Sequence, residues 1–153
     1  MAICALSDLP ERGVLLGLDP GTKTIGVAAS DRLRLIATPV ETITRGRKMA
    51  PALDRLFALA ADRETVGLVI GLPLNMDGTE GPRAQSARAF ARNIIMSKDF
   101  PIAFQDERLS SAQAERDMIA SDVRRDKRAA LIDASAAAII LQTALDRLAN
   151  ADD

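Results

Sequence analysis

The sequence predicts an α/β fold in which one mixed five-stranded sheet is flanked by helices. Three β-rich runs joined by turns come first. Runs with helical periodicity then alternate with short apolar runs, giving the order β-β-β-α-β-α-β-α-α. The length of 153 residues fits one domain, and the 48% of apolar residues can form its core. We expect a flexible extension over residues 1–12 and a single domain over residues 13–150.

The first three strands are predicted by β-rich runs and turn residues. Val14–Asp19 is an apolar run of strand length, and the Pro-Gly pair that follows it suits a type II turn. Thr24–Ala29 is a second β-rich run, so the two form a hairpin. The third strand lies within Leu33–Thr44, where Pro39 indicates an edge or a bulge because proline cannot donate a hydrogen bond to a neighbouring strand. We therefore expect three antiparallel strands.

Helices and strands alternate in the middle of the chain. Apolar residues at helical spacing predict an amphipathic helix over Arg47–Asp62. Val66–Leu72 is a continuous apolar run, which is typical of a strand buried on both faces. A polar loop follows, and a proline then suits the first turn of a helix over Pro82–Ser97. Pro101–Gln105 is the fifth strand and is short.

The last part of the chain is predicted to be helical with one interruption. Ser110 opens a helix, since Gln113 three residues later completes a capping-box pattern. Ser121–Arg128 is polar and strongly charged, and we predict it to be a mobile loop. The final helix is expected over Ala130–Ala149. Polar residues interrupt its Ala-rich run, which favours a buried helix over a membrane span.

The composition excludes several kinds of site. The chain contains no His, Trp or Tyr. Without histidine it can have no Ser-His or Cys-His nucleophile pair, no histidine metal ligand and no histidine general base. Cys4 is the single cysteine, so it can form neither an internal disulfide nor a cysteine zinc cluster. Catalysis must therefore use carboxylates, Lys, Arg, Ser, Thr or a bound metal.

The N-terminal residues do not resemble an export signal. They include no basic region, and their apolar run is too short for a signal peptide. We therefore predict a cytoplasmic protein without membrane association. The net charge is −1, so any contact with nucleic acid must come from local clusters of basic residues.

Carboxylates lie at the ends of predicted elements that are far apart in sequence. Asp19 ends the first strand, Asp106 and Glu107 end the last strand, and Asp133 lies in the first turn of the final helix. They can meet at one end of the sheet if the first and last strands are near neighbours. Converging carboxylates repel one another unless a cation joins them, and oxygen ligands favour Mg²⁺ or Mn²⁺. Two such ions about 3.5–4 Å apart can promote the hydrolysis of a phosphodiester.

Each of these acids also has a simpler explanation. Asp19 suits the first position of a turn, and Asp133 could favour a helix N-terminus through the macrodipole. Neighbouring side chains on a strand point to opposite faces, so only one of Asp106 and Glu107 is expected to be a primary ligand. Small residues one turn after Asp133 let the helix approach the sheet, which favours the metal-site interpretation. Asp31 is expected to be a surface residue.

Four stretches of the sequence resemble a known family. In order they are LGLDPGTKTIGVAASD, VIGLPLNMDGTEGPRAQSARAFA, DERLSSAQAERDM and IDASAAAIILQ. They resemble the four sequence blocks of the YqgF family, also called RuvX, whose members are known as pre-16S rRNA nucleases and as Holliday junction resolvases. The resemblance spans about Val14–Leu145, and the second stretch is the most specific.

The resemblance implies a ribonuclease H-like fold and a metal-dependent nuclease that uses Mg²⁺ or Mn²⁺, with two ions expected. It implies a role in maturing the 5′ end of 16S rRNA, so that the partners are precursor 16S rRNA and the ribosomal particle. By motif position, the catalytic and metal-binding acids are Asp19, Glu107 and Asp133, with Asp106 as an auxiliary. The resemblance thus selects Glu107 over Asp106, a choice that strand alternation leaves open.

Polar and basic residues near the predicted site favour contact with nucleic acid. Arg83 lies at a helix start, where backbone N–H groups and positive charge can both face a phosphate. The predicted nucleic-acid-binding residues are Lys23, Asn75, Arg83, Arg108, Arg124, Arg125, Lys127 and Arg128. Arg88 and Arg92 are expected to be ordinary surface charges. Without Tyr or Trp for base stacking, recognition is expected to rely on backbone and shape.

Three alternative functions stay open at this stage. A DNA nuclease acting on branched junctions would normally need a dimer. The sequence has no obvious dimer signature, and we expect a monomer or a weak homodimer. A non-catalytic factor that binds ribosomal RNA would keep the same acids without turnover. Actin-like ATPases also begin with a DxGT hairpin, but they bind nucleotide between two domains, for which this chain is too short.

Overall fold

The computed structural model describes residues 3–109 and 125–151, and of residues 109, 125–133 and 151 it describes the backbone alone. The strands are β1 Val14–Pro20, β2 Thr24–Ser30, β3 Ala37–Thr44, β4 Thr65–Leu72 and β5 Ile102–Asp106. The helices are α1 Ala50–Asp62, α2 Pro82–Ser97 and α3 Arg125–Ala151, with short 3₁₀ turns at Leu6–Asp8 and Glu107–Leu109. The helix predicted to start at Ser110, with Gln113 in its capping box, lies outside the described residues.

The five strands form one mixed sheet in the order β3-β2-β1-β4-β5. β2 is antiparallel to both β1 and β3, whereas β1, β4 and β5 are parallel. The predicted α/β architecture is therefore confirmed. A single strand separates β1 from β5, so the carboxyl ends of β1, β4 and β5 meet at one edge of the sheet. We call this the carboxyl edge.

Pro39 lies in an edge strand and beside a bulge, as the sequence predicts. β3 is an edge strand, and its register shifts beside Pro39: Val27 of β2 pairs with Glu41, but the next residue, Ala28, pairs with Pro39. Val40 is the extra residue of this bulge. A proline at such a position removes no hydrogen bond that the sheet needs. Both predicted explanations for Pro39, an edge and a bulge, are confirmed.

The third strand lies within the predicted stretch Leu33–Thr44, and it begins at Ala37 because residues 31–36 form a loop. The carboxylate of Asp31 accepts hydrogen bonds from the backbone N–H groups of Leu35, at 2.8 Å, and Ile36, at 2.9 Å. Arg34 adopts a φ of 60°, which an extended strand does not allow. Asp31 is exposed, as expected, but it also organises this loop, and its hydrogen bonds hold the pKa of its carboxyl below the usual value.

The sheet is covered on both faces. α1 and α2 pack on one face, where Leu56 and Phe90 join a cluster with Leu16 and Leu18 of β1. α3 packs on the other face, where Ile140 and other residues of the helix meet Leu15 of β1. The alternation of side chains along β1 thus supplies both cores. α1 begins at Ala50, later than the predicted Arg47, because Pro51 suits a first helical turn.

α3 lies unusually close to the centre of the sheet. A Cβ atom at Gly17 would lie 2.6 Å from the Cβ of Leu141 and 2.9 Å from the carbonyl oxygen of Ala137. Gln142 also fastens the helix to the start of β3. Its side-chain oxygen accepts the N–H of Ala37 at 2.8 Å, and its amide donates to the carbonyl of Leu35 at 3.1 Å.

The start of α3 corrects the prediction of a mobile basic loop over Ser121–Arg128. The helix begins at Arg125, so Arg125, Lys127 and Arg128 are helical, while Arg124 lies outside the described residues. Arg, Lys and Ala are strong helix formers, and a run of charges does not by itself interrupt a helix. Within the described part of the chain, no helix is both long enough and apolar enough to cross a bilayer.

The N-terminal residues contact the far edge of the sheet. Ile3 forms a parallel bridge with Ile102 of β5, and the N–H of Cys4 donates to the carbonyl of Ile102 at 2.8 Å. Leu9 is 4% exposed and packs with Leu15 and Leu145. The flexibility of residues 1–12 and the domain limits of 13–150 stay predictions, although residues 3–9 have definite contacts.

Gly17→Ala tests the close packing of α3. The added methyl group meets a helix carbonyl that cannot rotate away, so we expect a loss of about 1–3 kcal/mol in the free energy of unfolding. Urea denaturation followed by circular dichroism measures it. Gly46→Ala is the matched control, because a Cβ there meets nothing within 4 Å, and it should cause no loss. Equal effects of the two substitutions would contradict the packing argument.

Asp31→Ala tests the role of the carboxylate in the 31–36 loop. Because the folded-state pKa is lowered, the ionised carboxylate stabilises the fold above its unfolded value of 3.8, and this contribution disappears as the pH falls through the folded pKa. The variant should therefore have a lower urea midpoint at pH 7, with a difference that shrinks in acid. Asp31→Asn keeps an accepting oxygen without the charge. The urea midpoint of this variant should therefore lack the contribution of Asp31 that the wild type loses in acid. A pH-independent difference for Asp31→Ala would refute the assignment.

Candidate functional site

The first acid of the predicted site is buried at the carboxyl edge. Leu15 and Gly17 of β1 face α3, and Asp19, two residues after Gly17, faces the same way. Asp19 is only 6% exposed in a strand that is otherwise almost wholly apolar. Burying a charged group is costly, and a turn-forming aspartate would not require it. The burial therefore favours a site over the simple turn explanation.

Glu107 lies on the same face of the sheet as Asp19. It follows β5 directly, and its side chain reaches Gly71 of β4: a Cβ at Gly71 would lie 3.2 Å from the carboxyl carbon of Glu107 and 2.6 Å from Ile140 of α3. Gly71 pairs with Gln105 and is one residue beyond the pair formed by Leu18 and Ile70. Asp19 and the end of β5 are therefore about 10 Å apart across β4, at a position of β4 that carries no side chain.

The side chain of Asp106 contacts a different part of the structure from that of Glu107. Its carboxylate accepts hydrogen bonds from the guanidinium of Arg108, at 2.8 Å from Nη2, and from the backbone N–H of Arg108 at 2.9 Å. The hydrogen bond from the Arg108 side chain is the main reason that the pKa of Asp106 is lowered. The two neighbouring acids thus take different directions, as strand alternation predicts. An auxiliary role of Asp106 at the metal stays a prediction.

Asp133 lies on α3, about two turns after Arg125 and one turn before Ala137, whose carbonyl touches the Gly17 position. It is therefore not in the first turn of the helix, which removes the macrodipole as its explanation. The description of Asp133 is limited to the backbone. Among the described residues, no group of three or more Asp, Glu, Cys or His could hold a metal ion. The convergence of Asp133 with Asp19 and Glu107 stays a prediction.

A compact loop follows β4 at the same edge; we call residues 73–81 the β4 loop. The N–H of Asn75 donates to the carbonyl of Thr79 at 2.9 Å, and Gly78, with a φ of 90°, donates to the carbonyl of Asn75 at 2.8 Å. Asp77 accepts the N–H and hydroxyl of Thr79, and the hydroxyl hydrogen bond lowers the pKa of Asp77. The Asn75 amide donates to the Thr79 hydroxyl at 3.0 Å. This predicted nucleic-acid ligand therefore also holds the loop together.

Exposed basic residues lie around the carboxyl edge. Lys23 is exposed in the turn between β1 and β2, and Arg83 is exposed in the first turn of α2. Sequence reasoning did not assign Arg45 to the site, although it directly follows β3. Its guanidinium donates to the carbonyl of Gly21 and lies 5.9 Å from the ring of Phe90. Arg45 thus places a third positive charge beside the β1–β2 turn.

Two other arginines of this region have structural partners. Arg88 forms two hydrogen bonds of 2.7 Å with Glu80 and lies over the ring of Phe104, in keeping with its prediction as a residue outside the site. Arg108 is bound to Asp106 and also donates to the carbonyl of Met76 in the β4 loop at 3.2 Å. Arg108 therefore joins the end of β5 to this loop.

Gln105 is a buried polar residue that sequence reasoning missed. It is 0% exposed, its oxygen accepts a hydrogen bond from Arg147 of α3 at 3.0 Å, and its amide donates to the carbonyl of Asp106 at 3.1 Å. The available signal was a glutamine inside the short apolar strand that precedes the two acids. Gln105 links the far half of α3 to the strand end that carries Glu107.

A family model and several known proteins are similar to this chain over most of its length. Residues 13–147 match the sequence model of the RuvX family, described as "Holliday junction resolvase". A protein of Rhodopseudomonas palustris strain TIE-1, named "Putative pre-16S rRNA nuclease", is 64% identical over 140 residues, which are 92% of this chain and 87% of the relative. A protein of the same name from Bradyrhizobium sp. strain BTAi1 is 60% identical over 145 residues, or 95% of this chain and 89% of the relative.

A solved structure shares the fold. The structure described as "T. thermophilus RuvC in complex with Holliday junction substrate" superposes with a TM-score of 0.51 at 13% identity and covers 90% of this chain and 96% of RuvC. At this identity the likeness shows the fold alone, which is ribonuclease H-like, as the resemblance implied. Together, the family match over almost the whole chain and the identity of 60% or more to two relatives confirm the resemblance found in the sequence. The chain therefore belongs to the RuvX family.

Proposed function

We propose that this chain is a metal-dependent nuclease that hydrolyses phosphodiester bonds of RNA, and that it matures the 5′ end of precursor 16S rRNA in the cytoplasm. The observation that carries the proposal is the placement of two acids. Asp19, buried at the end of β1, and Glu107, at the end of β5, lie on one face of the sheet with Gly71 between them. The names of the relatives with 60% identity or more favour precursor rRNA as the substrate.

The donor set at the carboxyl edge fits a hard divalent cation. Asp19 and Glu107 offer carboxylate oxygens, histidine is absent from the chain, and the buried carboxylate of Asp19 gains most from a cation beside it. Asp19, Glu107 and Asp133 would hold Mg²⁺ or Mn²⁺, with Asp106 as an auxiliary. When bound, such ions neutralise the charge of the phosphate and activate water for attack.

The chain's own residues would position the RNA. Lys23, in the turn between β1 and β2, and Arg83, in the first turn of α2, are both exposed. Lys23 can bind a phosphate as a point charge, and Arg83 can bind one through its planar fork. The absence of a side chain at Gly71 lets Ile140 of α3 and the carboxyl group of Glu107 pack directly against β4, between the two strands that carry the acids. The many hydrogen bonds inside the β4 loop keep it in one conformation, so the loop loses little conformational entropy when the substrate binds.

A DNA nuclease acting on four-way junctions is the second candidate. The description of the family model favours it. Such substrates have two-fold symmetry and call for a dimeric enzyme. Comparing precursor rRNA and four-way DNA as substrates of the same preparation therefore separates the two candidates.

Asp19→Asn and Glu107→Gln test the proposed metal site. Each keeps the size of the side chain but removes its charge, so cleavage of a precursor 16S rRNA 5′ fragment should fall by at least about 100-fold. The assay measures product formation by the purified chain with Mg²⁺ and with Mn²⁺. Asp54→Asn, an exposed acid on α1 across the sheet, is the matched control and should keep full activity.

Each result that would contradict the proposal has a distinct meaning. Full activity in both site variants would rule out the two acids as metal ligands. Tight RNA binding without cleavage under either metal would favour a non-catalytic assembly factor. Faster cleavage of four-way DNA than of precursor rRNA would favour the second candidate.

Gly71→Ala tests whether the close packing of Glu107 against Gly71 matters. The added methyl group meets the flexible end of Ile140, which can move, and the carboxyl carbon of Glu107, which must shift by a few tenths of an ångström. We expect kcat to fall by up to about 100-fold while the fold persists. Gly67→Ala on the same strand and face meets Leu15 and Leu9 and not Glu107, so it should reduce stability but not kcat. Equal kcat values for both variants would exclude a role for the packing of Glu107 against Gly71.

A further inference from the structure

Each nitrogen of the Arg108 side chain has a hydrogen-bond acceptor within the protein. Its Nε lies 3.1 Å and its Nη2 lies 2.8 Å from Oδ2 of Asp106, and its Nη1 donates to the carbonyl of Met76 at 3.2 Å. All three guanidinium nitrogens therefore have protein acceptors. The side chains of Arg108 and Asp106 are 31% and 20% exposed, so solvent only partly competes for these contacts.

The contact between Arg108 and Asp106 closes a turn around Glu107. These two residues flank Glu107 in sequence, and the backbone N–H of Arg108 also donates to Asp106 at 2.9 Å. With its neighbours bound to each other, Glu107 extends towards Gly71 on the α3 face. The contact between Arg108 and Asp106 therefore bears on the orientation of Glu107, the predicted catalytic acid that lies between them in sequence.

The same guanidinium holds the β4 loop. Besides the hydrogen bond to Met76, a Cβ at Gly78 would lie 3.4 Å from Nη1, so this glycine of positive φ packs directly on the arginine. On the other side, Gln105 donates to the carbonyl of Asp106 and accepts from Arg147 of α3. A continuous line of polar contacts therefore runs from α3 through the end of β5 to the β4 loop.

We propose that Arg108 is a positioning residue, which fixes the direction of Glu107 and the place of the β4 loop, and is not the phosphate ligand that the sequence suggested. Its planar fork is essential to this role, because one side of it binds a carboxylate while the third nitrogen reaches a carbonyl. Lysine has a single ammonium group and cannot make these contacts together. The effect on cleavage rests on the nuclease function proposed above, whereas the effect on the β4 loop does not.

Arg108→Lys separates the two roles, since lysine keeps a positive charge that can bind phosphate but loses the fork. We expect kcat on the precursor rRNA fragment to fall by about 10–100-fold, with KM and the salt dependence of RNA binding nearly unchanged. Amide hydrogen exchange of the β4 loop, measured by mass spectrometry on the free protein, should become faster. Asp106→Asn, which weakens the same contact from the other side, should change kcat and exchange in the same direction.

Two further arginines calibrate the experiment. Arg83→Ala should weaken RNA binding and lower the salt slope by about 1, without faster exchange in the β4 loop. Arg92→Ala, an exposed arginine on α2, should change none of these quantities. Circular dichroism and urea denaturation establish that each variant is folded.

The outcomes distinguish failure of this proposal from failure of the proposed function. If Arg108→Lys keeps wild-type kcat and exchange, or if Arg108→Ala mimics Arg83→Ala with an unchanged loop, the positioning role is overturned. If the unmodified protein cleaves neither RNA nor DNA, the proposed function fails. Hydrogen exchange in Arg108→Lys and Asp106→Asn then still decides whether Arg108 holds the β4 loop.

Discussion

α3 packs on the centre of the sheet at a distance that leaves no room for a side chain at Gly17, and the site depends on this contact. The carbonyl of Ala137 and the Cβ of Leu141 occupy the space that a larger residue would need. Asp133 lies one turn earlier on the same helix. Close packing therefore ties the place of α3 to the strand that ends in Asp19. The predicted convergence of Asp133 with Asp19 and Glu107 requires the helix to lie this close to the sheet.

Asp19 and Glu107, the two acids at the carboxyl edge, have their backbones fixed by different contacts. Asp19 belongs to a central strand, so the ladders on both sides of β1 fix its backbone. Glu107 follows an edge strand and begins a short turn, where few backbone hydrogen bonds are available. The contacts of Asp106 and Arg108 compensate for this weakness. Side-chain hydrogen bonds thus fix the backbone at the end of β5, whereas the backbone hydrogen bonds of the sheet fix it at the end of β1.

Local sequence patterns predicted most of the architecture, because strands, helix faces and turns depend on nearby residues. The edge and bulge at Pro39 and the place of Asp19 at the end of the first strand followed from such patterns. The start of α3 at Arg125 was missed, since charge indicates exposure and does not distinguish a loop from a helix. The partners of the Arg108 side chain in the β4 loop could not be predicted, because Met76 and Gly78 are distant from it in sequence. They are brought to it only by β4 lying beside β5.

The two lateral borders of the sheet are protected in ways that bear on self-association. β3 carries a proline, a bulge and the ion pair of Glu41 with Arg55, all of which disfavour addition of another strand. At the opposite border Ile3 covers the beginning of β5. Addition of a strand from a second copy of the chain is therefore disfavoured along β3 and at the beginning of β5. These protections lie at the lateral borders of the sheet and do not cover the carboxyl ends of β1 and β4, where Asp19 and the β4 loop lie.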